Sequence, residues 1–205
     1  MIFVDQEKAR QFFRRLHEEV PGPGKVYLVG EIMLVVEGWR RWTDEIELHV
    51  EVEQQKQFHD RLNRICKETG VAVYVEFPGD VIPLPDQYDT RARPVEAAKI
   101  GLDQDGTGSG LQFYHFDPYS VAFRYIARGD EQDYQLVLTL MQHGWIDRRE
   151  MDRLLEGLLP RFTFKTIQQD PAEFRRKYKG LMQMWAAVQS HAQGAAQRHA
   201  QPSQQ

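Results

Sequence analysis

The chain has 205 residues, 41% of them hydrophobic and 27% charged, ordinary for a soluble globular protein and too apolar for global disorder. Its 26 Lys and Arg stand against 30 Asp and Glu, a formal net charge of −4, so nonspecific nucleic-acid binding, which needs a basic excess, is not indicated. The single cysteine, Cys66, excludes an internal disulfide and a cysteine zinc cluster and fits a reducing compartment. No run approaches the roughly 18 to 20 apolar residues of a spanning helix. The opening residues lack a basic stretch followed by an apolar core. The expectation is a cytoplasmic protein with no membrane partner.

Taken in order, residues 5 to 20 predict an amphipathic helix capped by Asp5, with Ala9, Phe12, Phe13, Leu16 and Val20 at helical spacing. A strand from Lys25 closes at Gly30, and a short buried helix over 31 to 37 stops at Gly38. Residues 45 to 53 alternate with period two. Glu45, Glu47, His49, Glu51 and Glu53 share one face, and Ile46, Leu48, Val50 and Val52 the other. A helix over 54 to 69, a strand over 71 to 77 and a further strand over 80 to 84 follow. Residues 103 to 110 read as a turn; their start mimics a calcium loop, but the bidentate Glu is missing. Residues 111 to 116 complete the sheet.

From Asp117, an N-cap followed by Pro118, the pattern turns helical. Further helices are expected over 130 to 142, 147 to 159 and 170 to 189. Asp147 and Glu150 are spaced for a capping box. The Gln-, Ala- and His-rich tail, 190 to 205, lacks apolar periodicity and reads as disordered. The fold class expected is α+β, an α/β-type mixed sheet with flanking helices over 1 to 116. A helical region over 117 to 189 packs on it.

Glu45 and Glu47, at i and i+2 of one strand, project from the same face with Cβ atoms roughly 6 to 7 Å apart. Two carboxylates this close repel unless a cation or a proton intervenes, and Mg²⁺ takes such oxygen ligands. Glu76, near the end of the 71 to 77 strand, is the candidate third acid. On spacing alone the plainer reading, a solvated sheet face running on through Glu51 and Glu53, is favoured.

The stretch from Val26-Tyr27-Leu28-Val29-Gly30-Glu31-Ile32 through Asp44-Glu45-Ile46-Glu47-Leu48 resembles the opening of the nucleotidyltransferase superfamily. More narrowly, it is similar to small bacterial and archaeal members of the minimal and abortive-infection toxin–antitoxin type. In those a strand runs into Gly-Gly-Ser or Gly-Ser, a helix follows, and an Asp-x-Asp strand carries the metal. Ile82-Pro83-Leu84-Pro85 and the run Phe113 to Asp133, with its Asp117-Pro118-Tyr119 and Arg128-Gly129, extend the resemblance over roughly residues 5 to 160.

The resemblance implies that Glu45 and Glu47 are ligands of Mg²⁺ or Mn²⁺ and that Glu76 is a third ligand or a base. It makes Gly30 the shaper of a phosphate loop and Arg124 or Arg128 the holder of phosphates. The reaction would be metal-dependent nucleotidyl transfer from a nucleoside triphosphate to a hydroxyl acceptor. The motif is degenerate: Glu31 and Ile32 replace Gly and Ser, a carboxylate there repels phosphate, and both aspartates are glutamates. The alternative is an inactive pseudo-nucleotidyltransferase that binds a protein partner, as an antitoxin or regulatory module. A homodimer through the C-terminal helices is a further arrangement the pattern allows.

Several signals have plain explanations. Trp39-Arg40-Arg41-Trp42 suits nucleic-acid stacking, but a loop packing its tryptophans on the sheet is preferred. Arg175, Arg176, Lys177 and Lys179 read as the wet face of a helix whose Phe174, Tyr178 and Leu181 are buried. His115 reads as a packed histidine at a strand end.

Overall fold

Asp5 accepts the Lys8 backbone N–H at 2.9 Å and so starts a helix. The two-residue β1 (Val4–Asp5) leads into α1 (Gln6–Glu19), whose Ala9, Phe12, Phe13 and Leu16 form the buried stripe. β2 (Gly24–Val29) ends at Gly30, and α2 (Glu31–Glu37) buries Ile32, Met33, Leu34, Val35 and Val36 in succession. A helix apolar all round must lie inside, and α2 does. Next come β3 (Trp42–Thr43), β4 (Glu45–Val52), α3 (Gln55–Thr69) and β5 (Ala72–Val75). β6 (Arg93–Pro94) and β7 (Leu111–His115) complete the strands. The helices α4 (Pro118–Arg128), α5 (Glu131–Gln142), α6 (Arg148–Leu158) and α7 (Pro171–His199) follow. This computed structural model describes residues 2–20, 22–102, 110–162 and 170–199, with side chains as far as His191.

The class is mixed α+β, as the patterning predicts. The larger sheet has the order β5-β4-β2-β7-β6. β2 runs antiparallel to β4 and parallel to β7, and β4 runs parallel to β5. β1 and β3 form a separate two-stranded ribbon. Val26, Leu28, Ile46 and Leu48 are buried on one face of the larger sheet, where Phe13 of α1 meets Phe113 edge to face and α3 packs against α1. Tyr27, Val29, Glu45 and Glu47 occupy the opposite face, which α4 crosses at the Glu47 end.

Several expectations are corrected. Residues 80 to 84 form no strand: a 3-10 turn (Pro78–Asp80) leads into a loop, because Pro83 and Pro85 supply no backbone donors. The short β1, β3 and β6 lie below the length at which alternation shows, and Pro94 sits in the edge strand β6. α7 runs to His199, past the expected end at 189. Its Ala- and Gln-rich continuation lacks a proline, and these residues are good helix formers. Residues 103 to 109 and 200 to 205 lie outside the described residues. Asp147 caps α6 through the Glu150 N–H at 2.9 Å, but Glu150 does not reach back. The Asp147 N–H donates to the Tyr119 hydroxyl instead, at 3.1 Å, and Arg153 claims the Glu150 carboxylate.

Candidate functional site

The end of β2, the start of β4 and the middle of α4 meet at one place. Val29 pairs with Glu47 across the ladder, so Gly30 lies immediately beside the Glu47 carboxylate. Gly30 has φ 74° and ψ −144°, a combination close to the region that only glycine adopts without strain. A Cβ there would lie 1.9 Å from Glu47 Oε2 and 2.2 Å from the Tyr125 hydroxyl. Those two atoms are hydrogen-bonded to each other: the Tyr125 O–H donates to Glu47 Oε2 at 2.6 Å. Gly30 is therefore required because a buried hydrogen bond fills the space a side chain would take.

Glu47 is only 5% exposed, which corrects the solvated-face reading for this half of β4; Glu51 and Glu53 are exposed, as that reading requires. A buried carboxylate needs a charged or donating partner. Arg124 provides it, its Nη2 donating to Glu47 Oε1 at 3.0 Å. The same Nη2 donates to Glu76 Oε1. One guanidinium nitrogen thus bridges the two acids, with Arg124 itself 5% exposed. The Nε and Nη1 of Arg124 are buried with no hydrogen-bond partner, an arrangement that carries a desolvation cost. Burial lifts the Glu76 carboxyl above its ordinary range, Arg124 only partly offsetting it. The Tyr125 hydroxyl is pushed far up by burial and by Glu47, so it stays a donor.

Glu45 stands apart from this network. Burial and then the charge of Glu47 raise its carboxyl above the usual value. It lines a cleft of about 160 Å³ with Glu31, Asp44, Glu47 and Asp133, facing Arg128. The Arg128 Nη2 lies 3.5 Å from Asp133 Oδ1 and its Nη1 4.0 Å from Glu47 Oε1, with the guanidinium over the Tyr125 ring at 4.9 Å. Glu31, at the first position of α2, is raised by burial, against the pull of Arg40 at 3.0 Å and of the Thr43 hydroxyl, which donates at 3.0 Å.

The structure brings together Gly30, Glu45, Glu47, Glu76, Arg124 and Arg128, all six residues singled out from sequence, though with partners other than those expected. Among the described residues no group of three or more His, Cys, Asp or Glu side chains is arranged to hold a metal ion. The donor set does not fit one in its present form, because Arg124 already stands between Glu47 and Glu76. The cleft is also smaller than the roughly 300 to 1,000 Å³ of ordinary ligand pockets. Sequence reasoning gave Tyr125, Arg40, Thr43 and Asp133 no role in the site. Arg124 and Arg128 lie at i and i+4 on one helix face, and that spacing was a usable signal; nothing in the sequence singles out Tyr125.

The other signals resolve plainly. His115 is 1% exposed, with Nε2 2.9 Å from Glu37 Oε1, and Lys99 donates to the other Glu37 oxygen at 2.6 Å. Trp39 packs flat on His143, with centroids 3.9 Å apart, and edge-on to Trp145 at 4.9 Å. Trp42 is exposed and touches Phe3, with centroids 4.4 Å apart. Cys66 is half-buried on α3, and burial raises its thiol. Comparison with family models, curated proteins and solved structures gives no match.

Proposed function

We propose that this chain is a nucleotidyltransferase-like protein whose acidic site has become a structural ion-pair network, and that it acts by binding a protein partner rather than by turning over nucleotides. The observation that carries this is the Arg124 guanidinium donating to both Glu47 and Glu76. A fixed positive charge there neutralises the acids that a divalent ion would otherwise hold. The β2–Gly30–α2–β4 unit supports the kinship, since a strand leaves at glycine, a short helix follows, and an adjacent strand presents Glu45 and Glu47 together.

Three further features favour binding over catalysis. The cleft is small, it is lined by five carboxylates against one Arg, and Glu31 stands in the cleft wall directly after Gly30, where the resembled family has a glycine or serine. Like charges repel a triphosphate. The test is calorimetry with a nucleoside triphosphate and Mg²⁺ or Mn²⁺, run beside an assay for labelled-nucleotide incorporation. No heat at millimolar nucleotide and no incorporation are expected. Robust incorporation, abolished by Glu45→Ala, would overturn the reading and restore a metal-dependent transferase.

A further inference from the structure

β5 is the outer strand of the larger sheet, and no other described strand pairs with its far side. Glu76 N donates to Leu48 O at 2.9 Å. By alternation the Ala72 and Tyr74 amides also face β4, so the Val73 and Val75 N–H and C=O groups point away from the sheet. Sheet proteins normally blunt such an edge with charge, proline or a bulge. Here Val71-Ala72-Val73-Tyr74-Val75 carries none of these, and its residues favour extended pairing. Tyr74 is 55% exposed. Ile2, Phe3 and Trp42, also exposed, lie toward the end where β4 and β5 begin: Trp42 precedes Glu45 by three residues, and Ile2 abuts Gly70.

The register sets the chemistry of what fits. Ala72 pairs with Glu45, and Tyr74 with Glu47, so these side chains share a face. Ala72 is exposed and small, and Glu45, its neighbour across the ladder, is half-buried. A strand added outside β5 would lie roughly 10 Å from β4, two strand spacings. A Lys or Arg on it opposite Ala72 and the Glu45 carboxylate close that gap between them. Among the described residues Glu45 has no ion-pair partner within 4.0 Å, whereas Glu47 and Glu76 share Arg124. A second copy of this chain is disfavoured at the same edge. A two-fold pairing of β5 would set no Lys or Arg beside Glu45, because Val71-Ala72-Val73-Tyr74-Val75 carries none.

We infer that the β5 edge, with Glu45 beside it, is a docking surface for an extended segment of a partner protein in which apolar residues alternate with Lys or Arg. The added strand takes its main-chain hydrogen bonds from Val73 and Val75, and Glu45 selects the cation. This rests on the binding-module reading above and names the partner chemistry that reading requires.

The test uses the full chain and a fluorescein-labelled peptide alternating Val and Lys, with a Val–Glu peptide as control. Anisotropy measures binding, and hydrogen exchange reports the edge amides. The expected result is saturable binding of the Val–Lys peptide, weakened about tenfold or more by Glu45→Lys or by the Val–Glu sequence. Exchange at the Val73 and Val75 amides of the unmodified chain should slow on peptide addition. No slowing there at about 1 mM peptide overturns the inference. So does equal binding of the Val–Glu peptide. Protection of Val73 that grows with the concentration of the chain alone also overturns it, in favour of a second copy. Nucleotide incorporation by the unmodified chain sinks the underlying reading instead, and because edge exchange is measured separately, the two failures are told apart.

Discussion

Replacing Arg124 by Met removes the charge while keeping most of the volume. Both Arg124 and Glu47 are buried, with side-chain exposures of 6% and 7%. Breaking one partner out of a buried pair costs about 3 to 5 kcal/mol. For a chain of this length, at roughly 2 to 4 °C per kcal/mol, the melting temperature should fall by about 6 to 20 °C. The variant then holds Glu47 and Glu76 without a cation. Mn²⁺ supplied at about 100 times its dissociation constant should restore about 2.7 kcal/mol, or roughly 5 to 11 °C. The same Mn²⁺ should leave the unmodified protein almost unmoved, because Arg124 fills the role. Scanning calorimetry of both proteins, with and without Mn²⁺, reads all four values. Equal Mn²⁺ stabilisation of the two proteins refutes the idea of an internal cation. A loss below about 1 kcal/mol in Arg124→Met refutes the claim that the pair is buried and mutually dependent.

Other substitutions test neighbouring steps. Gly30→Ala forces a methyl into the Glu47–Tyr125 hydrogen bond at a strained φ; backbone strain of about 1 to 3 kcal/mol alone should appear as a lower denaturant midpoint. Glu45→Gln tests the sign of a pH effect. Because the Glu45 carboxyl is raised in the folded state, the native protein holds its proton to higher pH than the unfolded chain, and stability is lost as pH rises from the ordinary value of 4.5 through the folded one. The variant should therefore melt higher than the parent near neutral pH and converge with it below 4.5; the reverse order would contradict the environment described. Asp117→Ala removes a fully buried carboxylate that Arg91 holds through two bonds of 2.9 Å and that caps α4 at the Tyr119 and Ser120 amides. It should lower stability by about 3 to 5 kcal/mol in chemical denaturation.

Much of the frame was legible because it depends on local pattern. Alternation from Glu45 to Val52 marked β4, the apolar stripe marked α1, and Asp117-Pro118 marked the start of α4. The site was half legible. Gly30 and the carboxylate pair could be named, but the environment of Glu47 could not. Its partners, Arg124 and Tyr125, lie 77 and 78 residues away and declare themselves only when α4 crosses the sheet. Alternation gives the face on which a residue lies, not what covers that face. The same limit applies to Trp39, whose His143 neighbour comes from the far end of α5. The stretch 80 to 84 failed for a local reason, apolar residues interrupted by Pro83 and followed at once by Pro85.

α4 buries every residue from Pro118 to Ala127. A helix with no outward side has little room for the neutral drift that most helices accept, so a saturation scan should find this stretch the least forgiving in the chain. The boundary near residue 116 is accordingly a change of pattern and not a place to divide the molecule: a fragment ending there loses Tyr125 and Arg124 from Glu47, and Asp117 from Arg91. What reads as two regions along the chain is joined by these buried contacts.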